Sequence, residues 1–269
     1  MNLNDHFLSV IVPVYKQEAT IVHDLEEILN TLSEIRYDYE LIAVIDGKNI
    51  DKSYTEAKKI NNQHLKVIGY PHNHGKGYAI RFGMAHTKGD YVAFIDSGME
   101  IDPNGISLIL EHMEWYNADI IVASKYHPAS QVSYPFDRKI ISFGARLVAR
   151  ILLGIKVRDT QAGLKIFKRK VLVKVLPRLL VKNYAFDLEI LSVANRLGFS
   201  RIFEAPIKLS YAFSSLTHAS GVRVIYHALI DALAIFYRLR LIHYYDDSNK
   251  RKWVYDKELE MRINTGEYE

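Results

Sequence analysis

The chain of 269 residues contains no cysteine. That absence excludes a disulfide framework, a thiolate metal site and a cysteine nucleophile. Long apolar runs are also lacking. The most apolar stretch, Val224 to Tyr237, is interrupted by His227 and Asp231 and ended by Arg238, short of the ~20 apolar residues a membrane span needs. Met1 to His6 is polar and leads into a strand, so no signal peptide is read and the expected location is cytoplasmic. The 11 histidines are scattered, with no His-Glu-x-x-His or Cys/His spacing, which argues against zinc. No Gly-x-Ser-x-Gly elbow points to a serine hydrolase, and no Gly-x-x-x-x-Gly-Lys-Ser/Thr points to a P-loop. The charge excess is small, +4 with a pI of about 8.9. It suits an anionic ligand or a membrane surface and is too weak to argue for nucleic acid. No internal repeat, low-complexity tract or linker divides the chain, so one continuous domain is expected.

What is present is a substantial apolar fraction, 49%, enough for a large core. Buried strands are expected at Phe7–Val14, Tyr39–Ile45, Leu65–Gly69, Tyr91–Ile95 and Ala118–Ala123. Helices are expected between them: one after Thr20 as N-cap, Asp51–Asn61, Gly77–His86 and Pro103–Tyr116. The alternation implies a mostly parallel sheet with right-handed crossovers. After about Ser124 the pattern changes. Helices are expected at Arg138–Ile155, Phe186–Leu197 and Val222–Tyr244, with strands at Gly163–Phe167 and Phe203–Leu209. From Asp246 on the chain is highly charged, and a surface helix or loose tail is expected.

The most informative stretch runs from Asn73 to Asp102: a glycine-rich turn, a helix, a Gly-Asp turn, a buried strand and a cluster of acids. Acids at the carboxyl end of a parallel strand lie where open α/β sheets bind ligands, and they suit a divalent cation holding a diphosphate. Asp96, directly after the strand, reads as the metal carboxylate with Glu100 as its companion, whereas Asp102 reads as a cap ahead of Pro103. Asp46 reads either as a turn aspartate accepting backbone N–H groups or as an acceptor for a nucleobase. Its company of Pro13, Tyr15 and the acids after Asp96, all at strand carboxyl ends, favours the second. Gly75-Lys76-Gly77 opens a helix, so Lys76 is either part of a tight turn or a phosphate neighbour. Arg138, Ser142 and Arg146 share one helix face, among apolar residues and with Arg150 further along. That face is either solvated or set against lipid phosphate.

The ordered set of these pieces resembles family 2 glycosyltransferases with the GT-A fold, and within them the branch that makes polyprenyl-phosphate sugars, such as dolichyl-phosphate mannose synthases and dolichyl-phosphate β-glucosyltransferases. The resemblance runs from about Leu8 to Tyr244. It rests on Val10-Ile-Val-Pro-Val-Tyr15, Val44-Ile-Asp-Gly47, Asn73-His-Gly-Lys-Gly77, Gly89-Asp90 with Phe94-Ile-Asp96, and Ala123-Ser-Lys-Tyr126. It continues through Arg138-Lys-Ile-Ile-Ser142, Val157-Arg-Asp-Thr-Gln-Ala-Gly-Leu-Lys-Ile-Phe167 and Phe186-Asp-Leu-Glu-Ile190.

The resemblance implies a single GT-A domain over 1–245, with a donor half to about 123, an acceptor and membrane-facing half over 124–245, and a tail over 246–269. It implies an inverting transfer of a hexose from a nucleotide-sugar of the GDP-mannose or UDP-glucose type to a polyprenyl phosphate, with Mg²⁺ or Mn²⁺. Pro13, Tyr15, Gln17, Asp46, Lys76, Asp96, Ser97, Lys125 and His218 would hold the donor. Asp96 and Glu100 would hold the metal, Arg138 and Ser142 the acceptor phosphate, and Asp159 would lie near the reacting sugar. Asp96, Asp159 and Arg138 are thus the expected catalytic residues. The chain departs from the family pattern at Gly98, where a second Asp is usual, at Ile45 and Gln17, and at Ala212 and His218, where the branch has Arg and Lys. The expected partners are the donor, polyprenyl phosphate and the cytoplasmic membrane face, with a membrane-protein partner or a second copy also considered. Two other readings stand beside this one. A soluble hydroxyl acceptor would require a carboxylate base, for which Asp187 or Glu189 are candidates. A degenerate member would bind nucleotide without turnover.

Overall fold

The computed structural model describes residues 6–130, 150–183, 185–209, 222–249, 251–257, 259 and 261–268. β1 (Phe7–Val14), β2 (Asp38–Asp46), β3 (Leu65–Tyr70), β4 (Tyr91–Ile95), β5 (Ile120–Ser124), β6 (Leu164–Lys168) and β7 (Ile202–Pro206) form one seven-stranded sheet in the order β3-β2-β1-β4-β6-β5-β7. β1 pairs in parallel with β2 and β4, β2 with β3, and β5 with β7. β6 alone runs antiparallel, between β4 and β5. The sheet is therefore mostly parallel, as the alternation predicts. The reversal at β6 sends the chain down from the same edge at which β4 ends. The loop before β6 is thereby placed beside the residues that follow β4.

Helices cover the sheet. α1 (Ile21–Ser33) buries Ile21, Leu25, Ile28, Leu29 and Leu32, the stripe its spacing predicts. Thr20 stands at its N-cap position but makes no capping bond; its hydroxyl donates to Asp24 Oδ2 at 3.1 Å. α2 (Ser53–Ala57) is far shorter than the expected Asp51–Asn61 helix. α3 (Lys76–Ala85) is buried from Gly77 through Met84, because the sheet lies on one side and Leu179, Lys182, Asn183 and Phe186 on the other. Its Arg81 is buried and donates to Leu179 O at 2.8 Å, and burial lowers its pKa. α4 (Gly105–Trp115) follows the Asp102–Asn104 turn, in which Asp102 Oδ1 accepts Asn104 N at 3.0 Å.

The second half differs more from expectation. Most of the expected Arg138–Ile155 helix lies outside the described residues; 150–153 are helical and Gly154 ends them at φ +71°. α5 (Arg169–Val175) and the 3₁₀ turn Leu176–Arg178 were not expected. α6 (Phe186–Arg196) and α7 (Val222–Phe236) were, although α7 passes into a π-helical turn at Tyr237–Leu241. The charged end is neither helix nor loose tail. It folds into an antiparallel hairpin of β8 (Arg251–Asp256) and β9 (Met261–Tyr268). Leu259 is buried, and the Arg178 guanidinium lies 5.4 Å from the Trp253 ring centroid.

Candidate active site

The chain places β2 and β3 on one side of β1 and β4 on the other. Connections diverge there and leave a crevice at the carboxyl ends of β1 and β4. Ser97 Oγ closes its floor by donating to Pro13 O at 2.9 Å. Asp96 N donates to Gly163 O at 2.9 Å, which carries the β4–β6 ladder one residue further. Asp96 Oδ2 accepts from Lys76 Nζ at 2.7 Å. Asp96 Oδ1 is buried and has no partner among the described residues. A buried carboxylate oxygen without a donor costs several times an ordinary hydrogen bond's net contribution, so the position suits a cation. Glu100 is exposed, past the turn at Gly98 and Met99. No group of three or more His, Asp or Glu side chains converges among the described residues. Few protein oxygens are thus offered to a divalent ion here, and diphosphate and water would complete its shell.

Asp46, at the end of β2, is buried. It accepts His74 N at 2.7 Å on Oδ1, and Asn73 Nδ2 at 2.9 Å and Gly75 N at 3.0 Å on Oδ2. This is the turn-aspartate arrangement. Three donors fill three of about four acceptor positions, and the result ties β2 to the glycine turn that presents Lys76. Tyr15 is exposed beyond β1, with Lys16 Nζ 5.4 Å from its ring centroid. Gln17 N donates to Ser53 Oγ at 2.8 Å, joining the loops after β1 and β2.

The third wall is the loop Arg158–Gly163. Asp159 is buried, and its Oδ2 accepts Lys125 N at 2.9 Å, so the structure brings these two expected residues together. The loop is held from β7 by Glu204, whose Oε1 accepts Arg158 N at 2.8 Å and Asp159 N at 3.1 Å. The sequence reading missed Glu204. It also missed Asp24, whose Oδ2 accepts Gly98 N at 3.2 Å and so supports the turn after Asp96. Asp24 sits on the apolar stripe of α1, where a buried acid is the available signal. Arg138, Ser142, Arg146, Ala212 and His218 lie outside the described residues.

The two carboxylates considered as bases for a hydroxyl acceptor are committed elsewhere. Asp187 Oδ1 is 2.6 Å from Lys165 Nζ, and both side chains are buried. Glu189 is wholly buried; it accepts Leu180 N and Val181 N on Oε2 and the Tyr245 hydroxyl on Oε1. Burial raises its pKa, opposed by these hydrogen bonds and by Arg238. Neither carboxylate opens onto the crevice as a free base.

Comparison with known proteins bears on the fold and the family. A dolichyl-phosphate beta-glucosyltransferase of Dictyostelium discoideum is 27% identical over 212 residues, 73% of this chain and 64% of the relative. One from Drosophila melanogaster is 30% identical over 205 residues, 71% and 63% of the two chains. The chain thus spans just under two thirds of the length of these relatives. Among solved structures, glucosyl-3-phosphoglycerate synthase from Mycobacterium tuberculosis, in complex with Mn²⁺, UDP-glucose and phosphoglyceric acid, superposes with a TM-score of 0.62 at 19% identity, covering 98% of this chain and 88% of that one. The shared architecture is the GT-A fold. The model of glycosyl transferase family 2 matches residues 9–176, and the chain belongs to that family.

Proposed function

We propose that the protein transfers glucose, with inversion, from UDP-glucose to a polyprenyl phosphate. The observation that carries this reading is Asp96 at the switch point of the sheet, with Oδ2 on Lys76 and against Gly163, at the end of the loop that holds Asp159, and Oδ1 buried with no partner among the described residues. The names of the relatives support glucose and a dolichyl-phosphate acceptor.

The chemistry suits this arrangement. A phosphate monoester is largely ionised near neutral pH, its second pKa being ~6, so it attacks without a strong base. Its oxygen forms a bond to C1 of the sugar while the bond from C1 to the diphosphate breaks and UDP departs. The site must align the acceptor, stabilise an oxocarbenium-like sugar and neutralise the leaving diphosphate. Arg138 and Lys125 are proposed for the first task, with Ser142 beside the acceptor phosphate. Asp159 is proposed for the second, its carboxylate fixed by Lys125 N. For the third, Lys76 and His218 would face the diphosphate, and Asp96, with Glu100, would hold Mg²⁺ or Mn²⁺. Such an ion supplies positive charge to the departing phosphates. Pro13, Tyr15, Gln17 and Asp46 would line the nucleoside end, and Ser97 holds the floor. The engagement of Asp187 and Glu189 weighs against the hydroxyl-acceptor reading.

The acceptor's lipid tail requires the protein to reach a bilayer. No helix among the described residues is long and apolar enough to cross a membrane. The C-terminal helical run instead exposes Leu229, Ile230, Leu233, Tyr237 and Leu241 along one stripe, while Ala232, Ile235 and Leu239 are buried on the other side. Arg150 and Ile151 of the preceding helical segment are exposed as well. Such a stripe beside basic residues suits the headgroup boundary of the cytoplasmic leaflet.

Incubation with labelled UDP-glucose or GDP-mannose and a short polyprenyl phosphate, with Mn²⁺ or EDTA, tests the reading. Metal-dependent formation of lipid-linked glucose is expected. Transfer only to a soluble hydroxyl, or nucleotide binding without turnover, would replace it.

A further inference from the structure

We propose that the buried Lys165–Asp187 pair is a positioning device for Asp96; the proposal rests on the metal role assigned to Asp96 above. Lys165 lies on β6 opposite Phe94 of β4, two residues before Asp96. Its ammonium is 2.6 Å from Asp187 Oδ1, 2.7 Å from Ala162 O and 5.2 Å from the Phe94 ring centroid. The two side chains are 0% and 4% exposed.

A buried ion pair is weak evidence for a stabilising role. Desolvating two charges costs as much as their attraction returns, and apolar replacements of similar volume are often neutral or stabilising. What an apolar pair cannot supply is a donor to Ala162 O. That bond fixes the Ala162–Gly163 peptide, and Gly163 touches Asp96 twice. Its carbonyl accepts Asp96 N at 2.9 Å. Its Cα lies against the carboxylate so closely that a Cβ there would stand 2.3 Å from Oδ2. Asp96 is thus bounded by Gly163 on one side and Lys76 on another, and Oδ1 is left as the oxygen with no donor among the described residues. Asp187 holds the ammonium over Ala162 O, and so it acts on Asp96 at one remove from α6.

The test is Lys165→Met/Asp187→Leu in the full chain, which removes both charges and leaves neither one unpaired. Three quantities are read: the melting temperature, UDP affinity in EDTA and in Mn²⁺, and the kcat and KM for transfer. The variant is expected to melt within a few degrees of the wild type and to bind UDP normally in EDTA. It is expected to lose about tenfold of the Mn²⁺-dependent gain in UDP affinity, and about 10²-fold in kcat, the scale of a displacement near 1 Å. KM for the lipid acceptor should not change. Lys165→Met/Asp187→Asn, closer in shape, makes the same measurement if the first pair does not fold. A folded variant that keeps the full Mn²⁺ gain and kcat overturns the proposal, as does an equal loss of UDP affinity with and without metal. A wild type whose UDP affinity ignores Mn²⁺ overturns the metal role of Asp96 itself, and this inference with it.

Discussion

Two glycines flank the candidate metal carboxylate and make opposite demands on substitution. Gly163 is a matter of space, since any side chain enters the Asp96 carboxylate. Gly163→Ala is expected to reduce kcat by about 10²-fold through displacement of Asp96, with the protein still folded by circular dichroism; unchanged turnover would show that Asp96 does not need this placement. Gly98 is a matter of backbone. It holds φ +93°, but an added Cβ would meet only Gln17 Nε2, at 3.6 Å. Gly98→Asp, which restores the second acid of the family pattern, is expected to cost about 1 kcal/mol of stability from the left-handed backbone. It should also tighten Mn²⁺ binding to the UDP complex several-fold, read by urea unfolding and by metal titration. Unaltered metal affinity would mean that a carboxylate at 98 does not face Asp96. Asp46 shows what sequence can assign at this scale. Its position at a strand end was legible, whereas its occupation by the Asn73–Gly75 turn depends on a loop 27–29 residues away.

Among the elements, the C-terminal region is locked to the domain by ion pairs. Arg196 of α6 donates to Asp246 Oδ1 at 2.7 Å, and His243 lies 3.4 Å from the same carboxylate. The hydrogen bond from Arg196 is the main cause that lowers the Asp246 pKa from 3.8, and the charges of Arg196 and His243 act in the same direction. A lowered folded-state pKa contributes stability that is present above the unfolded value and is lost as pH falls through the folded one. Asp246→Asn is therefore expected to melt below the wild type at neutral pH and to converge with it as pH drops below 3.8, followed by thermal melts across that range. A gap that persists in acid would assign the loss to packing instead. The hairpin of β8 and β9 teaches a related lesson. Its charged residues hid short apolar runs such as Trp253-Val-Tyr255, and a two-stranded hairpin is marginal alone. It packs on the Leu176–Arg178 turn through β9 and the Arg178–Trp253 contact, and Leu259 between its strands is buried.

At the scale of the whole molecule, the exposed stripe of α7 and the π-helical turn should govern attachment to the membrane. Flotation with anionic liposomes is expected at low salt and should weaken as salt rises. Leu233→Glu/Leu241→Glu, both at exposed positions, should abolish flotation while leaving the melting temperature and UDP binding unchanged. No flotation of the wild type at low salt, with acceptor lipid present, would remove the peripheral-membrane reading. The sequence by itself determined the seven strands, the mostly parallel sheet and the acids at its carboxyl edge, because periodicity and strand-end residues are local signals. Tertiary structure alone decided that β6 runs antiparallel, that Glu204 and Asp24 support the crevice, that Asp187 is paired with Lys165, and that the charged end is a hairpin. Each of these is a contact between residues far apart in the chain. Its free energy comes from burial and hydrogen bonding in the assembled core, and beyond a cue such as an acid on the apolar stripe of α1 a single sequence does not name the partner.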